Sequence, residues 1–201
     1  MENLQQRKHQ RKNNEITERH RRTLIEVATA EVGYVEEAVP ENKTKYQKAN
    51  QPWCGAFVNW CGKKAGVQIP NTIYTPAGAN AYIKMKRWHP VKDAQPQAGD
   101  LAYFDFPLDG IDRISHVGIV VKDNHDGTVT TIEGNTTHER KGDQRNGGEV
   151  CIKIRAYKKK NRNKFKPNLP VAIVGFGRPK FEALHKTADE ARASQKVIQM
   201  L

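Results

Sequence analysis

The apolar positions of the first third of the chain recur at helical spacing, and those beyond Gly99 recur in alternation. Leu24, Ile25, Ala28 and Val32 lie three or four residues apart, with Gly33 placed to end a helix. Thr23-Leu24-Ile25-Glu26 has the form of a capping box, so that helix is expected to begin near Thr23. Residues 1–22 are polar and read as a disordered or loosely helical arm. After a mostly irregular stretch, 34–52, Pro52 opens a second helix. Its stripe is Ala56, Phe57, Trp60, Cys61 and Ala65, and its stop is Gly66. A short helix is expected around Ala77–Lys86. Period-two segments then predict strands near 100–106, 116–122, 128–133, 149–156 and 171–177, with turns at Pro107–Gly110 and Asn124–Gly127. Helices followed by antiparallel strands define an α+β fold. Residues 181–201 read as a terminal helix or linker. The expected division is a basic arm 1–22, a domain 23–180 and the tail 181–201.

With 201 residues the domain can bury a core without disulfide or metal staples. The longest apolar runs, such as Val117–Val121, are far short of the roughly 20 residues of a membrane span. Residues 1–23 contain no apolar run of the kind a secretory signal needs, so none is expected. Three cysteines make no disulfide scaffold and leave at least one free thiol. The net charge of +12 is concentrated. Residues 1–23 hold seven basic and three acidic side chains, and 153–166 hold eight basic and no acidic ones. Such segments attract polyanions, either nucleic acid or an anionic wall polymer. Tyr157 and Phe165 could stack on bases. No nucleic-acid motif accompanies them, so nucleic acid is the disfavoured partner.

Cys54 stands at the start of the second helix, where free N–H groups and the helix dipole lower a thiol pKa and offer oxyanion donors. Cys61 lies inside the apolar stripe and reads as core; Cys151 lies in a strand beside the basic run. A thiol nucleophile needs a base. Of seven histidines only His116 begins a clear strand, with the small Gly118 leaving space beside its ring. The next strand ends in Glu133 and Asn135, two residues apart and thus expected on one side. A hairpin would bring one of them to His116 as its orienting group. Cys54, Cys61 and His116 do not form a zinc set of familiar spacing, and no cofactor is expected.

Four segments, Trp53-Cys54-Gly55-Ala56-Phe57-Val58, Gly99-Asp100-Leu101-Ala102-Tyr103-Phe104, Ser115-His116-Val117-Gly118-Ile119-Val120 and Ile132-Glu133-Gly134-Asn135, together resemble the CHAP family over about residues 24–178. CHAP denotes the cysteine, histidine-dependent amidohydrolases/peptidases. The resemblance implies a papain-like fold with N-terminal helices on an antiparallel sheet, and amide hydrolysis in peptidoglycan. Cys54 would be the nucleophile, His116 the base, and Glu133 and Asn135 would orient the imidazole. The related NlpC/P60 family usually has Asp where Trp53 stands. Some family members carry an acidic calcium loop before the cysteine. Here Asn42–Gln47 lacks its paired aspartates, so no metal site is expected. The implied protein is a monomeric phage-type lysin, either released endolysin or virion-associated. It would be made in the host cytoplasm and act on peptidoglycan and anionic wall polymers. The Tyr34–Tyr46 loop and the Asn71–Ala81 segment are the expected groove walls, and the basic run 153–166 is expected to stay clear of the chemistry. The alternative is a non-catalytic basic module that binds nucleic acid or anionic cell wall.

Overall fold

The computed structural model of the chain describes residues 4–37, 41–106, 110, 113–139, 143–158 and 171–181. The stripe at 24–32 proves to be the buried end of a longer helix, α1 (Leu4–Thr29). The Thr23 hydroxyl donates to the Arg19 carbonyl one turn back, at 3.0 Å, a bond that belongs to a helix interior. Thr23 therefore caps nothing, and the expected boundary at residue 22 falls inside a continuous helix. Gln, Arg, Lys and Glu lose little rotamer freedom in a helix, which lets the polar half form. Leu4, Arg7, Lys8, Arg11, Lys12 and Glu15 are exposed, whereas Leu24 and Ala28 are fully buried.

The helix α2 (Cys54–Ala65) ends as expected at Gly66, whose left-handed φ of 67° turns the chain back. Helix α3 is Thr75–Lys84, with Pro at its start. The strands are β1 (Trp88–Pro90), β2 (Leu101–Phe104), β3 (His116–Asp123), β4 (Thr128–Thr136), β5 (Glu149–Ala156) and β6 (Ile173–Gly177). They form one antiparallel sheet in the order β1-β6-β2-β3-β4-β5. The α+β architecture, with N-terminal helices beside an antiparallel sheet, is thus as expected. Strand β1 was not anticipated: three residues carry no alternation, and its partner β6 is remote in sequence.

Alternation divides the sheet into two faces. Leu101, Tyr103, Val117, Ile119, Ile132 and Val150 join the core beneath α1 and α2. Ala102, Phe104, Val120, Val129 and Phe176 form a second cluster on the opposite face. His116 pairs with Phe104 across β2 and β3. Among the described residues no helix is long and apolar enough to cross a membrane. The expected terminal helix, and the basic run beyond Lys158, lie outside the described residues.

Candidate active site

Cys54 is the first residue of α2, only 3% exposed, and it has the first-turn position that exposes unpaired backbone donors. Several contacts hold the segment before and beside it. Trp53 stacks on Tyr46 with ring centroids 5.3 Å apart, and its Nε1 donates to Glu36 Oε2 at 2.5 Å. Gly55 is required by close approach: a Cβ there would stand 2.0 Å from the Thr72 carbonyl oxygen. Asn59, one turn further on, donates to the Pro70 carbonyl at 2.8 Å and accepts from the Thr72 N–H at 2.8 Å. The 70–73 segment is thereby lashed along α2.

His116 begins β3, fully buried, at the sheet end that α2 reaches with its first residue. Its Nε2 is 3.0 Å from Glu133 Oε2. Nδ1 has no hydrogen bond of good geometry among the described residues and is left to the Cys54 thiol, the group with which the imidazole couples most strongly. The rings of Phe104 and Phe106 stack on each other and both lie against the imidazole, at 5.4 and 5.8 Å. The space left by Gly118 is filled by Glu133 itself. A Cβ on Gly118 would stand 2.5 Å from Glu133 Cγ, so glycine is what admits the carboxylate to the imidazole.

Glu133 is fully buried and saturated with donors. Arg155 gives it a fork, Nε to Oε1 at 2.8 Å and Nη2 to Oε2 at 2.6 Å, and Thr131 Oγ1 donates to Oε1 at 2.5 Å. The Arg155 guanidinium lies 5.5 Å over both Phe104 and Phe106, so the phenyl pair touches cation and imidazole alike. Arg155 and Thr131 were not singled out from the sequence. Arg155 was included in the basic run expected to stand apart from the site, and the structure corrects that. Lys153 is also engaged, donating to the Thr137 carbonyl at 2.5 Å. Tyr157 is not free to stack on bases: its ring is buried and its hydroxyl bonds to Asp123. The signal for Thr131 was available, since it lies two residues before Glu133 on one strand face. Arg155 depends on the β4–β5 register, which no local pattern reveals.

Asn135 does not share Glu133's side. A register shift follows Glu133, and Asn135 has a left-handed φ of 58°, so simple alternation fails there. Its amide donates to Asn146 Oδ1 at 2.9 Å and its Oδ1 accepts from the Gly148 N–H at 3.3 Å. Of the two residues expected to orient the imidazole, Glu133 touches it and Asn135 instead anchors the loop between β4 and β5.

The electrostatics follow from these contacts. Burial pushes the Cys54 thiol up, but His116 and hydrogen bonds from the Val117 and Gly55 backbone more than offset it, leaving it below the ordinary thiol. Burial pulls the His116 imidazole down; the Cys54 charge and then Glu133 reverse this, and it is pushed up to about 9. Burial likewise opposes ionisation of Glu133, yet Arg155 and His116 hold it well below the usual carboxylate range. These shifts all run toward a thiolate beside an imidazolium backed by a carboxylate.

In front of Cys54 opens a cleft of about 230 Å³. Ile73, Tyr74 and Thr75 form one wall, so the expected 71–81 segment does border it. The other borders are Gln51, Pro52, Arg113, Ser115 and Arg145. No described residue of the Tyr34–Tyr46 loop is among them. Tyr34 and Tyr46 pack against Trp53, with Tyr46 buried and donating to Glu31 Oε2 at 2.5 Å.

Residues 45–135 match the model of the CHAP domain, a stretch that takes in Cys54, His116, Glu133 and Asn135. That stretch, a little under half of the chain, is thus similar to the CHAP domain, whose family comprises amidohydrolases and peptidases associated with peptidoglycan. Among solved structures the chain is similar to a protein described as similar to lipoprotein, NLP/P60 family, from Staphylococcus aureus subsp. aureus Mu50. The identity is 14% and the TM-score 0.38, over 79% of this chain and 41% of that one. The chain thus spans about two-fifths of that protein's length. No curated protein matches the chain.

Proposed function

We propose that the chain hydrolyses an amide bond of peptidoglycan through a Cys54 thiolate, as an endopeptidase or an N-acetylmuramoyl-L-alanine amidase. The observation that carries this is the buried line Cys54, His116, Glu133, whose Cys54 end borders an open cleft. The thiolate attacks the scissile carbonyl, and backbone N–H groups at the start of α2, including that of Cys54, receive the developing oxyanion. His116 gives its proton to the leaving amine as the carbon–nitrogen bond breaks, which leaves a thioester. The neutral imidazole then takes a proton from water, whose oxygen attacks the thioester. Carboxylate product leaves and the thiolate–imidazolium pair returns. Glu133 holds the ring and favours its charged form; Arg155 and Thr131 hold Glu133. Asn135 serves the site indirectly, through the loop that it anchors.

The biological role that fits is a phage lysin meeting the wall from within or on virion entry. The exposed basic residues of α1 would face anionic wall polymer. Mass spectrometry of fragments released from purified peptidoglycan tests the reaction. New carboxyl and amino ends at one amide, absent with Cys54→Ala, are expected. Intact walls after prolonged treatment would overturn it.

A further inference from the structure

The cleft beside Cys54 is cationic, and its charge comes from two separate loops. Arg113 reaches it from the end of the β2–β3 connection, and Arg145 from the β4–β5 connection. No Asp or Glu lines it among the described residues. Arg113 is exposed, with its guanidinium 5.3 Å over the ring of Tyr74, which keeps it at the cleft wall. The placement of Arg145 is built from beneath. Asp143 Oδ1 accepts the N–H groups of Arg145 and Asn146, both at 2.8 Å. Asn146 is tied to Asn135 and, at 2.7 Å, to Glu41. Gly147 lies so close to the end of β4 that a Cβ would stand 2.4 Å from the Thr136 carbonyl carbon. Gln144, beside Arg145, accepts from Arg155 Nη1 at 3.0 Å, which joins this loop to the carboxylate behind His116. A fully buried asparagine in a strained conformation thus holds a loop whose arginine lines the cleft. The cleft is smaller than the roughly 300–1,000 Å³ of pockets that engulf drug-sized ligands, and it opens to solvent.

We propose that Arg113 and Arg145 make the enzyme selective for an amide flanked by a free carboxylate, the α-carboxylate of a γ-linked glutamate or another acid group of the peptidoglycan stem. Arginine pairs with a carboxylate through two parallel N–H bonds, and an amide in its place loses both the charge and one acceptor. The inference rests on the reaction proposed above and narrows its substrate.

The test uses the full chain on three preparations of one purified peptidoglycan. One keeps its carboxylates, one is amidated enzymatically at the glutamate α-carboxylate alone, and one is amidated at every carboxylate by carbodiimide and ammonia. Initial rates are taken at subsaturating substrate and at about 0.5 M salt, which screens attraction between the wall and distant basic residues. The unmodified wall should be cut about tenfold faster than the fully amidated one. Slow cleavage of the second preparation as well assigns the glutamate; slow cleavage of the third alone assigns another acid group. In the double variant Arg113→Gln, Arg145→Gln, verified as folded by its melting curve, the preference should fall to near unity. Arg113→Lys with Arg145→Lys should restore part of it. Equal rates of the unaltered enzyme on all three preparations overturn the inference and leave the reaction standing. So does a preference that persists in the folded double variant, since that would come from charge elsewhere. Absence of cleavage on every preparation overturns the reaction itself.

Discussion

Among the described residues the same three residue types come into contact twice. In one set Cys54 meets His116, and His116 meets Glu133. In the other, at the outer strand β5, Cys151 Sγ lies 3.4 Å from Glu149 Oε2, and His138 Nδ1 lies 2.8 Å from that same oxygen. Chemistry depends on the order. At Cys54 the imidazole faces the thiol, and the thiol falls below its ordinary value. At Cys151 burial and the neighbouring carboxylate push the thiol up to about 11, so it stays protonated at neutral pH. Surroundings differ as well: the side chains of His116 and Glu133 are wholly buried, whereas that of His138 is 72% exposed. An exposed ion pair is screened and loosely held, and a buried one has a fixed geometry. A cysteine, a histidine and a glutamate together are therefore no catalytic site until the imidazole stands in the middle.

The sharpest break of this contrast is removal of the thiols. Cys54→Ala should lower wall hydrolysis by about 10⁴-fold or more, as loss of a nucleophile does. A turbidity assay on purified walls measures it, and near-normal activity would remove Cys54 from the chemistry. Next in size is Glu133→Gln, expected to cost on the order of 10³-fold. It should also move the alkaline limb of the pH profile. In the proposed mechanism the active form needs a protonated His116, which is held to about 9 in part by Glu133. Rate should fall as pH rises through that value in the unaltered enzyme, and at lower pH in the variant. An unmoved limb would mean that Glu133 is only structural. Gly118→Ala puts a methyl 2.5 Å from Glu133 Cγ and should cost about 10²-fold, with the melting temperature showing whether the fold survives.

A smaller effect separates the thiols without mutation. At pH 6, iodoacetamide should label Cys54 at least about tenfold faster than Cys61 or Cys151, because the thiolate is the reacting form. Burial raises Cys61, and Cys151 is raised to about 11. Peptide mapping of the labelled protein reads this out, and preferential labelling of Cys151 would reverse the comparison. The least effect is expected of Cys151→Ser, whose wall hydrolysis should stay within about twofold of the unaltered enzyme's, while Cys61→Ala should cost stability of about 1 kcal/mol in a denaturant titration.

Much of this was legible in local patterns. Apolar spacing and Gly66 located α2, alternation located β2 to β6 to within a few residues, and Cys54 and His116 stood out because each opens an element. The start of α1 was missed because a capping-box pattern is local, while a chain of good helix formers can carry the helix straight through it. Asn135 was misplaced because alternation assumes a regular strand, and the shift after Glu133 ends that regularity.

Element types, and the places of Cys54 and His116 each at the start of an element, are set by short-range periodicity, so the sequence alone determined them. Partners that meet across strands or between loops depend on register and loop closure. Only the tertiary structure placed Arg155 on Glu133, opened Gly118 to the carboxylate, turned Asn135 toward Asn146, and brought Arg113 and Arg145 to one cleft. Those contacts join residues that share no repeat and no neighbourhood along the chain. Their geometry exists only after the sheet has closed and water has been excluded from around the imidazole.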